Sequence, residues 1–148
     1  MQLPMPSLID RHRPDLAAAI TAMPCTRLLG LSVLGLGDGV SVIELPVHAD
    51  VTFDGRTVQG GIVGTLADYA AVSAATAASP LGWVSSTTAF QVYNLAPARG
   101  DRLVAIGRIV KGSRSQAVAA ADVYAVIGED AELVATALAT CKLIGPAA

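Results

Sequence analysis

Residues 58–80 read VQGGIVGTLADYAAVSAATAASP, and this stretch decides the fold because it predicts one long, almost wholly apolar helix. Outside its apolar surface, the positions of this helix hold mostly small residues rather than charged ones. A helix of this composition is expected to be buried at the centre of a domain. At helical spacing its apolar surface comprises Val63, Leu66, Ala67, Ala70, Ala71, Ala74, Ala75 and Ala78.

Two features of this helix point to chemistry. Gly60 and Gly61 stand where the helix begins, so amides without helical partners are left unshielded and attract an oxyanion. The plain alternative is close packing of the helix start against a sheet. Asp68 is the only charged residue between Arg56 and Arg99. In apolar surroundings its carboxylate needs polar partners or a raised pKa, so it is either a catalytic or a structural acid.

The combination Gln-Gly-Gly (59–61) and Leu-Ala-Asp (66–68) resembles the His-Gly-Gly-x-x-x-x-Leu-Ala-Asp/Glu signature of the hotdog-fold acyl-CoA thioesterases, particularly the phenylacetate-pathway type. The resemblance covers roughly residues 30 to 144, and three later segments keep the family's order: 87–95, 97–100 and 111–114. It implies an α+β hotdog fold, in which an antiparallel sheet wraps around one long central helix.

The resemblance also implies roles for individual residues. Asp68 is the expected general base toward water or nucleophile toward the thioester carbonyl, and these two roles stay open. The Gly60 amide is the expected oxyanion donor, and Thr87 matches a Ser/Thr that assists the catalytic water, although threonine is also an ordinary strand residue. Gln59 stands where the family usually has histidine. Phe53 stands where an Asn or Gln is common.

Further residues are expected to bind the substrate. The resemblance places Gly61 beside the oxyanion site. Ser113, Arg114 and Ser115 suit a coenzyme A phosphate by their donors, but a polar hairpin turn has the same composition. Four aromatic residues and the small helix residues suggest an apolar acyl pocket; the aromatic residues are Phe53, Tyr69, Trp83 and Phe90.

Helix geometry predicts that the active site needs two chains. Eight residues at about 1.5 Å rise place Gly60 and Asp68 roughly 12 Å apart, too far to act on one carbonyl. As in the family's dimers, Gly60 of one chain is therefore expected to meet Asp68 of another, in a homodimer or a homotetramer built as a dimer of dimers. The high apolar content, 53%, also favours an oligomer.

Length and composition limit the remaining possibilities. A chain of 148 residues is expected to hold a lead-in with a short helix over 1–29 and a single hotdog domain over 30–148. A net charge of −2 without a basic stripe argues against nucleic acid as a partner. Two cysteines without CxxC spacing and no signal-peptide pattern favour the cytoplasm, and the sequence predicts no membrane insertion, metal site or cofactor.

The rest of the chain predicts an antiparallel sheet. Pro14 opens a short helix after a loosely docked lead-in over 1–13, and Gly37-Asp38-Gly39 predicts a hairpin turn between strands at 28–36 and 40–47. Turn residues then separate predicted strands at 83–95, 102–110, 116–126 and 133–143, the last three forming a meander.

The sequence therefore predicts an acyl-CoA thioester hydrolase with Asp68 and the Gly60 amide at its centre. One rival, a hotdog dehydratase or hydratase, needs a catalytic histidine, and neither His12 nor His48 lies in the helix. The other is a non-catalytic binder of acyl-CoA or lipid, which the departures at Gln59 and Phe53 support. The acyl group and its carrier, coenzyme A or acyl carrier protein, stay open.

Overall fold

A computed structural model of the chain describes residues 1–7 and 12–148, and in it one antiparallel sheet encloses one long helix. The helices are α1 (Pro14–Ala22), α2 (Pro24–Leu29) and α3 (Gly60–Ala77), with a short 3-10 helix at Ala49–Val51. The strands are β1 (Ser32–Gly37), β2 (Val40–Pro46), β3 (Val84–Asn94), β4 (Arg102–Gly112), β5 (Gln116–Ile127) and β6 (Asp130–Ile144). Their order in the sheet is β1-β2-β4-β5-β6-β3.

The predicted hairpin and meander are confirmed, and one predicted strand boundary is wrong. Asp38 and Gly39 both have positive φ, 50° and 73°, as the tight turn between β1 and β2 requires. The first strand begins at Ser32 rather than Leu28. Pro24 instead opens α2, which ends at Gly30 in the left-handed conformation. Strands β4, β5 and β6 pair antiparallel with their sequence neighbours.

Helix α3 packs closely against the sheet and contacts all six strands. Leu66, Ala67 and Ala70 are almost completely buried. Gly107 of β4 is what permits this approach, because a Cβ there would lie 2.1 Å from the Ala70 carbonyl oxygen. The Ser41 hydroxyl donates a hydrogen bond to the same oxygen. The small residues of the helix therefore serve close packing onto the sheet.

Helices α1 and α2 pack against β1 and α3. The Arg13 guanidinium donates to the carbonyl oxygens of Ala77 (3.4 Å) and Ser79 (2.7 Å) at the end of α3. The Tyr69 hydroxyl of α3 lies 2.7 Å from Cys25 Sγ of α2. Arg13, just before α1, thus lies at the end of α3, and Cys25, in the helix that follows α1, lies near Tyr69, so α1 runs roughly antiparallel to α3. Residues 8–11 of the predicted lead-in lie outside the described residues.

The two edges of the sheet differ. Strand β1 is six residues long, is irregular near Gly35 and is packed against by α1. Strand β3 is eleven residues long and pairs only with β6 in the described chain, so its outer edge offers free backbone groups. Phe90, Tyr93 and Leu95 are exposed on or just after β3. No helix of the described residues is long and apolar enough to cross a membrane.

Candidate functional site

The carboxyl group of Asp68 is half-buried on α3 and faces strand β3. Thr87 Oγ1 donates a hydrogen bond to Asp68 Oδ1 at 2.9 Å. Desolvation raises the pKa of Asp68, and the hydrogen bond from Thr87, which favours the charged form, offsets part of that increase. Such a carboxylate is more basic than an exposed aspartate, which suits both a general base and a nucleophile.

A β-bulge in β3 aims Thr87 at Asp68. The pairing of β3 with β6 shifts register between Thr87 and Ala89. Farther along the strand, the Phe90 ring approaches α3, since a Cβ built on Gly64 would lie 3.6 Å from it. In an unbroken strand residues 87 and 90 would face opposite sides. The bulge lets both face the helix, as bulges near active sites commonly do.

An apolar cavity of about 260 Å³ lies beside Asp68 between α1, α3 and β3. Asp68 is the only charged residue among the described residues that line it, and four other lining residues carry hydroxyl groups. The lining comprises Leu16, Ala19, Ile20, Met23, Asp68, Tyr69, Val72, Ser73, Thr76, Val84 and Ser85. A carboxylate at the border of an apolar cavity can meet a polar reacting group whose apolar tail is buried.

The first turn of α3 presents amides that have no acceptor. The Gln59 side-chain oxygen accepts a hydrogen bond from the Ile62 amide at 3.1 Å, and the Gln59 carbonyl accepts from the Ile62 and Val63 amides. Among the described residues, the amides of Gly60 and Gly61 donate no hydrogen bond. Gln59, which replaces the family's histidine, is therefore the N-cap of the helix in this structure.

A second cavity, of about 310 Å³, lies at this helix start. It contains Gly60 and Phe53, whose side chain is 68% exposed. It also contains Asn94, which the sequence did not single out: its amide nitrogen lies 3.4 Å from a Cβ built on Gly60. Asn94 ends β3 without belonging to any motif, so only the fold shows its proximity to the glycines.

The acid next to Phe53 does not replace the missing Asn or Gln. Asp54 accepts hydrogen bonds from the amides of Arg56 and Thr57 and from the Thr57 hydroxyl. These contacts lower the pKa of Asp54. Its carboxylate therefore stabilises its own loop, and Arg99 lies 3.9 Å away.

One chain does not bring the two predicted catalytic groups together. Gly60 and Asp68 line different cavities and lie eight residues apart on one helix, about 12 Å along its axis.

The predicted phosphate-binding residues are exposed at the turn between β4 and β5. Ser113 and Arg114 line a cavity of about 370 Å³ at the far end of α3, with Ser79 and Trp83. The Ser113 hydroxyl accepts from the Gln116 amide and donates to its carbonyl, which closes the turn. The Ser115 carbonyl accepts from the Leu143 amide. This cavity shares no lining residue with the one beside Asp68.

The aromatic residues predicted to form one acyl pocket are distributed over the molecule. Tyr69 lines the cavity of Asp68, Phe53 that of Gly60, and Trp83 that of Arg114. Phe90 packs near Gly64. In the described residues no group of three or more His, Cys, Asp or Glu is placed to hold a metal ion.

Solved structures of the same architecture come from thioesterase families. A thioesterase family protein from Silicibacter pomeroyi has 27% identity and a TM-score of 0.83, over 87% of this chain and 95% of that one. A variant of the phenylacetic acid degradation protein PaaI from Thermus thermophilus has 29% identity and a TM-score of 0.68, over 81% and 98%. This chain has the hotdog fold. The predicted fold class and the resemblance to hotdog thioesterases are both confirmed.

A third structure, the E. coli PaaI protein from the phenylacetic acid degradation operon, has 22% identity and a TM-score of 0.77, over 89% of this chain and 92% of that one, and it bears on the fold alone. No protein-family model and no curated protein sequence matches the chain. The likeness to named thioesterases supports a thioester hydrolase.

Proposed function

We propose that the protein hydrolyses an acyl-CoA thioester to a free acid and coenzyme A. The observation that carries the proposal is the half-buried Asp68 carboxylate, held by Thr87 at the border of an apolar cavity. The likeness to thioesterases supports the reaction class. Two free thiols, Cys25 and Cys141, suit the reducing cytoplasm that we propose as its location.

In the proposed reaction Asp68 acts in its ionised form, and Thr87 orients its carboxylate. As a general base, Asp68 accepts a proton from water while the water oxygen attacks the thioester carbonyl carbon; the carbon–sulfur bond then breaks and the thiolate takes up a proton. As a nucleophile, Asp68 attacks the same carbon, the carbon–sulfur bond breaks and the thiolate leaves, and water then hydrolyses the resulting anhydride to the free acid and the Asp68 carboxylate. Both routes build negative charge on the carbonyl oxygen, which needs donors aimed at it.

The proposed donors are the first-turn amides of a second copy of the chain. The Gly60 amide is free to donate, the Gly61 amide lies beside it, and Gln59 fixes the turn that holds both. We propose that two chains pair through the free edge of β3, the longer and less covered edge of the sheet. In that homodimer, or a dimer of dimers, Phe53 would line the site from the partner's side.

Coenzyme A phosphates are assigned to the turn between β4 and β5. Arg114 is exposed there, and its guanidinium suits phosphate oxygens. The hydroxyls of Ser113 and Ser115 are the accompanying donors. The cavity of about 370 Å³ beside the turn is the proposed location of part of the coenzyme A moiety.

The first test is thiol release from short, long and aromatic acyl-CoAs, with wild type beside Asp68→Asn. We expect turnover that falls by about 10²-fold or more in Asp68→Asn, because a positioned base contributes at least that much. The matched control is Asp130→Asn at the exposed first residue of β6, which is expected to retain full activity. Ligand binding without turnover in the folded wild type would contradict the proposal and favour the non-catalytic binder.

Mixed dimers test whether the site is shared. Asp68→Asn and Gly60→Pro chains, each inactive alone, are co-expressed with different tags and purified as the heterodimer. A site built from Gly60 of one chain and Asp68 of the other is intact once in that heterodimer, so about half of wild-type activity should return. A site contained within one chain would give no recovery.

A further inference from the structure

The cavity beside Asp68 has the size of a medium acyl group. Its volume of about 260 Å³ exceeds the roughly 150 Å³ of an engineered apolar cavity that binds benzene. It lies just below the range of about 300–1,000 Å³ typical of pockets for drug-sized ligands. A ring with a short linker or a medium-length chain matches this volume, which a long fatty chain exceeds.

The cavity extends away from Asp68 along α3. Ser73 lies five residues beyond Asp68, about 7.5 Å along the helix axis, and Thr76 lies about 12 Å along it. Helix α1 forms the opposite wall. Because α1 runs antiparallel to α3, Met23 lies at the Asp68 end and Leu16 at the Thr76 end.

Ser73 lines the cavity, and its hydroxyl group has no hydrogen-bond partner among the described residues. The side chains of Thr65 and Thr76, also on α3, each donate to a carbonyl four residues earlier, and Thr76 is in addition paired with Ser85. Ser73 is only 8% exposed and lines the cavity, yet its hydroxyl makes no hydrogen bond with any described residue. No fully buried side-chain oxygen or nitrogen of the described residues lacks a hydrogen-bond partner, so the Ser73 hydroxyl is open to water from the cavity, and a ligand hydroxyl or keto group can replace that water as its partner.

The chain that follows α1 is fixed to α3 next to Asp68 through two residues of α2. The Tyr69 hydroxyl lies 2.7 Å from Cys25 Sγ and accepts a hydrogen bond from Thr26 Oγ1 at 3.1 Å. At the other end, Arg13 holds α1 to the last carbonyls of α3. The length of the cavity is therefore set by anchored side chains, and a change on α1 alters which ligands fit.

We propose that this cavity is the acyl site, that α1 limits the acyl length, and that Ser73 hydrogen-bonds a hydroxyl or keto group near the far end of the acyl chain. The substrate class is a medium-length acyl thioester with a polar distal substituent. The inference rests on the proposed hydrolysis, but its binding tests do not require turnover.

Calorimetric titration with coenzyme A thioethers, which cannot be hydrolysed, tests the role of Ser73. The probes are S-hexyl-CoA and S-(6-hydroxyhexyl)-CoA, which differ by one hydroxyl. Wild type should bind the hydroxylated probe about tenfold more tightly, and Ser73→Ala should remove that preference while binding of the plain probe stays the same. An equal preference in both proteins, or no binding of either probe to wild type, would overturn the assignment.

A pair of α1 variants tests the wall. Ala19→Phe adds bulk to the α1 wall of the cavity, and Ala18→Phe, at an equally exposed position outside the lining, is its matched control. We expect S-decyl-CoA to bind Ala19→Phe at least tenfold more weakly and S-butyl-CoA to bind it nearly as wild type does. Equal losses for both probes in Ala19→Phe would overturn the length limit. Specific binding without thioester turnover would reject the hydrolase and leave the pocket assignment standing.

Discussion

The two ends of helix α3 are treated oppositely by the rest of the molecule. At its start, Gln59 caps one amide and leaves those of Gly60 and Gly61 without acceptors in the described chain. At its end, the Arg13 guanidinium donates to the carbonyl of Ala77, the last helical residue, and to that of Ser79 just beyond it, and the Ser79 hydroxyl donates to the Ala75 carbonyl. One end is open and the other is closed.

We propose that this difference separates groups that stabilise the fold from groups that bind a ligand. Every helix leaves amides and carbonyls unpaired at its ends, and side chains, water or ligands can satisfy them. Here the negative end of the helix dipole meets a cation, and the positive end meets a cavity of about 310 Å³. Changes at the open end should therefore alter activity, and changes at the closed end should alter stability.

The largest expected effect is the loss of activity in Gly60→Pro. Proline has no amide hydrogen, but it is well tolerated at the first helical position, and Gln59 is extended (φ −62°, ψ 135°), as a residue before proline prefers. Removing one oxyanion donor typically costs about 10²–10³ in kcat. Thiol-release kinetics should show this loss, and urea unfolding should show near wild-type stability.

Gly60→Ala is the matched control for the proline variant. It adds a side chain near Asn94, as proline does, yet it keeps the amide hydrogen. We expect it to retain most activity. If the alanine variant loses as much activity as the proline variant, crowding rather than the missing donor is responsible, and the open end is only a packing feature.

The next largest effect is the loss of stability in Arg13→Met. The Arg13 side chain is 13% exposed, and hydrogen bonds from charged groups are worth roughly 1.5–3 kcal/mol. We expect a decrease of about that size in the free energy of unfolding in urea, with hydrolysis of a short acyl-CoA, which does not reach the Arg13 end of the cavity, unchanged at temperatures where the protein is folded. Arg27→Met, at an exposed position of α2, is expected to change neither quantity. A selective loss of activity in Arg13→Met would break the comparison.

A smaller effect on stability is expected at Gln59. This residue belongs to the open end, but among the described residues its side chain hydrogen-bonds only to the Ile62 amide. Gln59→Ala removes the N-cap and should cost about 0.5–2 kcal/mol of stability. Gln59→Ser, a strong N-cap, should restore it. Activity that returns together with stability in Gln59→Ser identifies Gln59 as a positioning residue. Stability without activity would show that the Gln59 amide itself contacts substrate.

The sequence predicted the regular parts of this molecule because their causes are local. The apolar period of α3 and the turn at Asp38 and Gly39 depend on neighbouring residues alone, and both are observed. Leu28 lies in α2 and not in the predicted strand, because an apolar run does not distinguish a strand from a short helix, whereas Pro24 at the helix start favours the helix. The start of the first strand is therefore also determined by a local residue, Pro24.

The parts of the site that the sequence did not reveal depend on distant contacts. Arg13 contacts Ser79, which is 66 positions away in the sequence, and Asn94 at the end of β3 lies close to Gly60 at the start of α3. The bulge after Thr87 is a property of the pairing with β6, which no pattern within β3 encodes. The roles of Asp68 and Gly60 themselves remain predictions, because one chain holds them in separate cavities.

The smallest expected effect is a change in stability at Asp68, which lies between the two ends of α3. Burial raises its pKa in the folded protein above 3.8, so folding favours its protonated form, and its stabilising contribution is lost as the pH rises through the folded-state pKa. Asparagine keeps the shape of the protonated acid and can still accept a hydrogen bond from Thr87. Asp68→Asn should therefore be slightly more stable than wild type in urea at pH 7, and this advantage should shrink as the pH falls toward 3.8. Asp130→Asn should show no such gain, because Asp130 is almost fully exposed. An Asp68→Asn protein that is less stable at neutral pH would mean that Asp68 serves the fold, and the case for a catalytic carboxylate between the open and closed ends would fail.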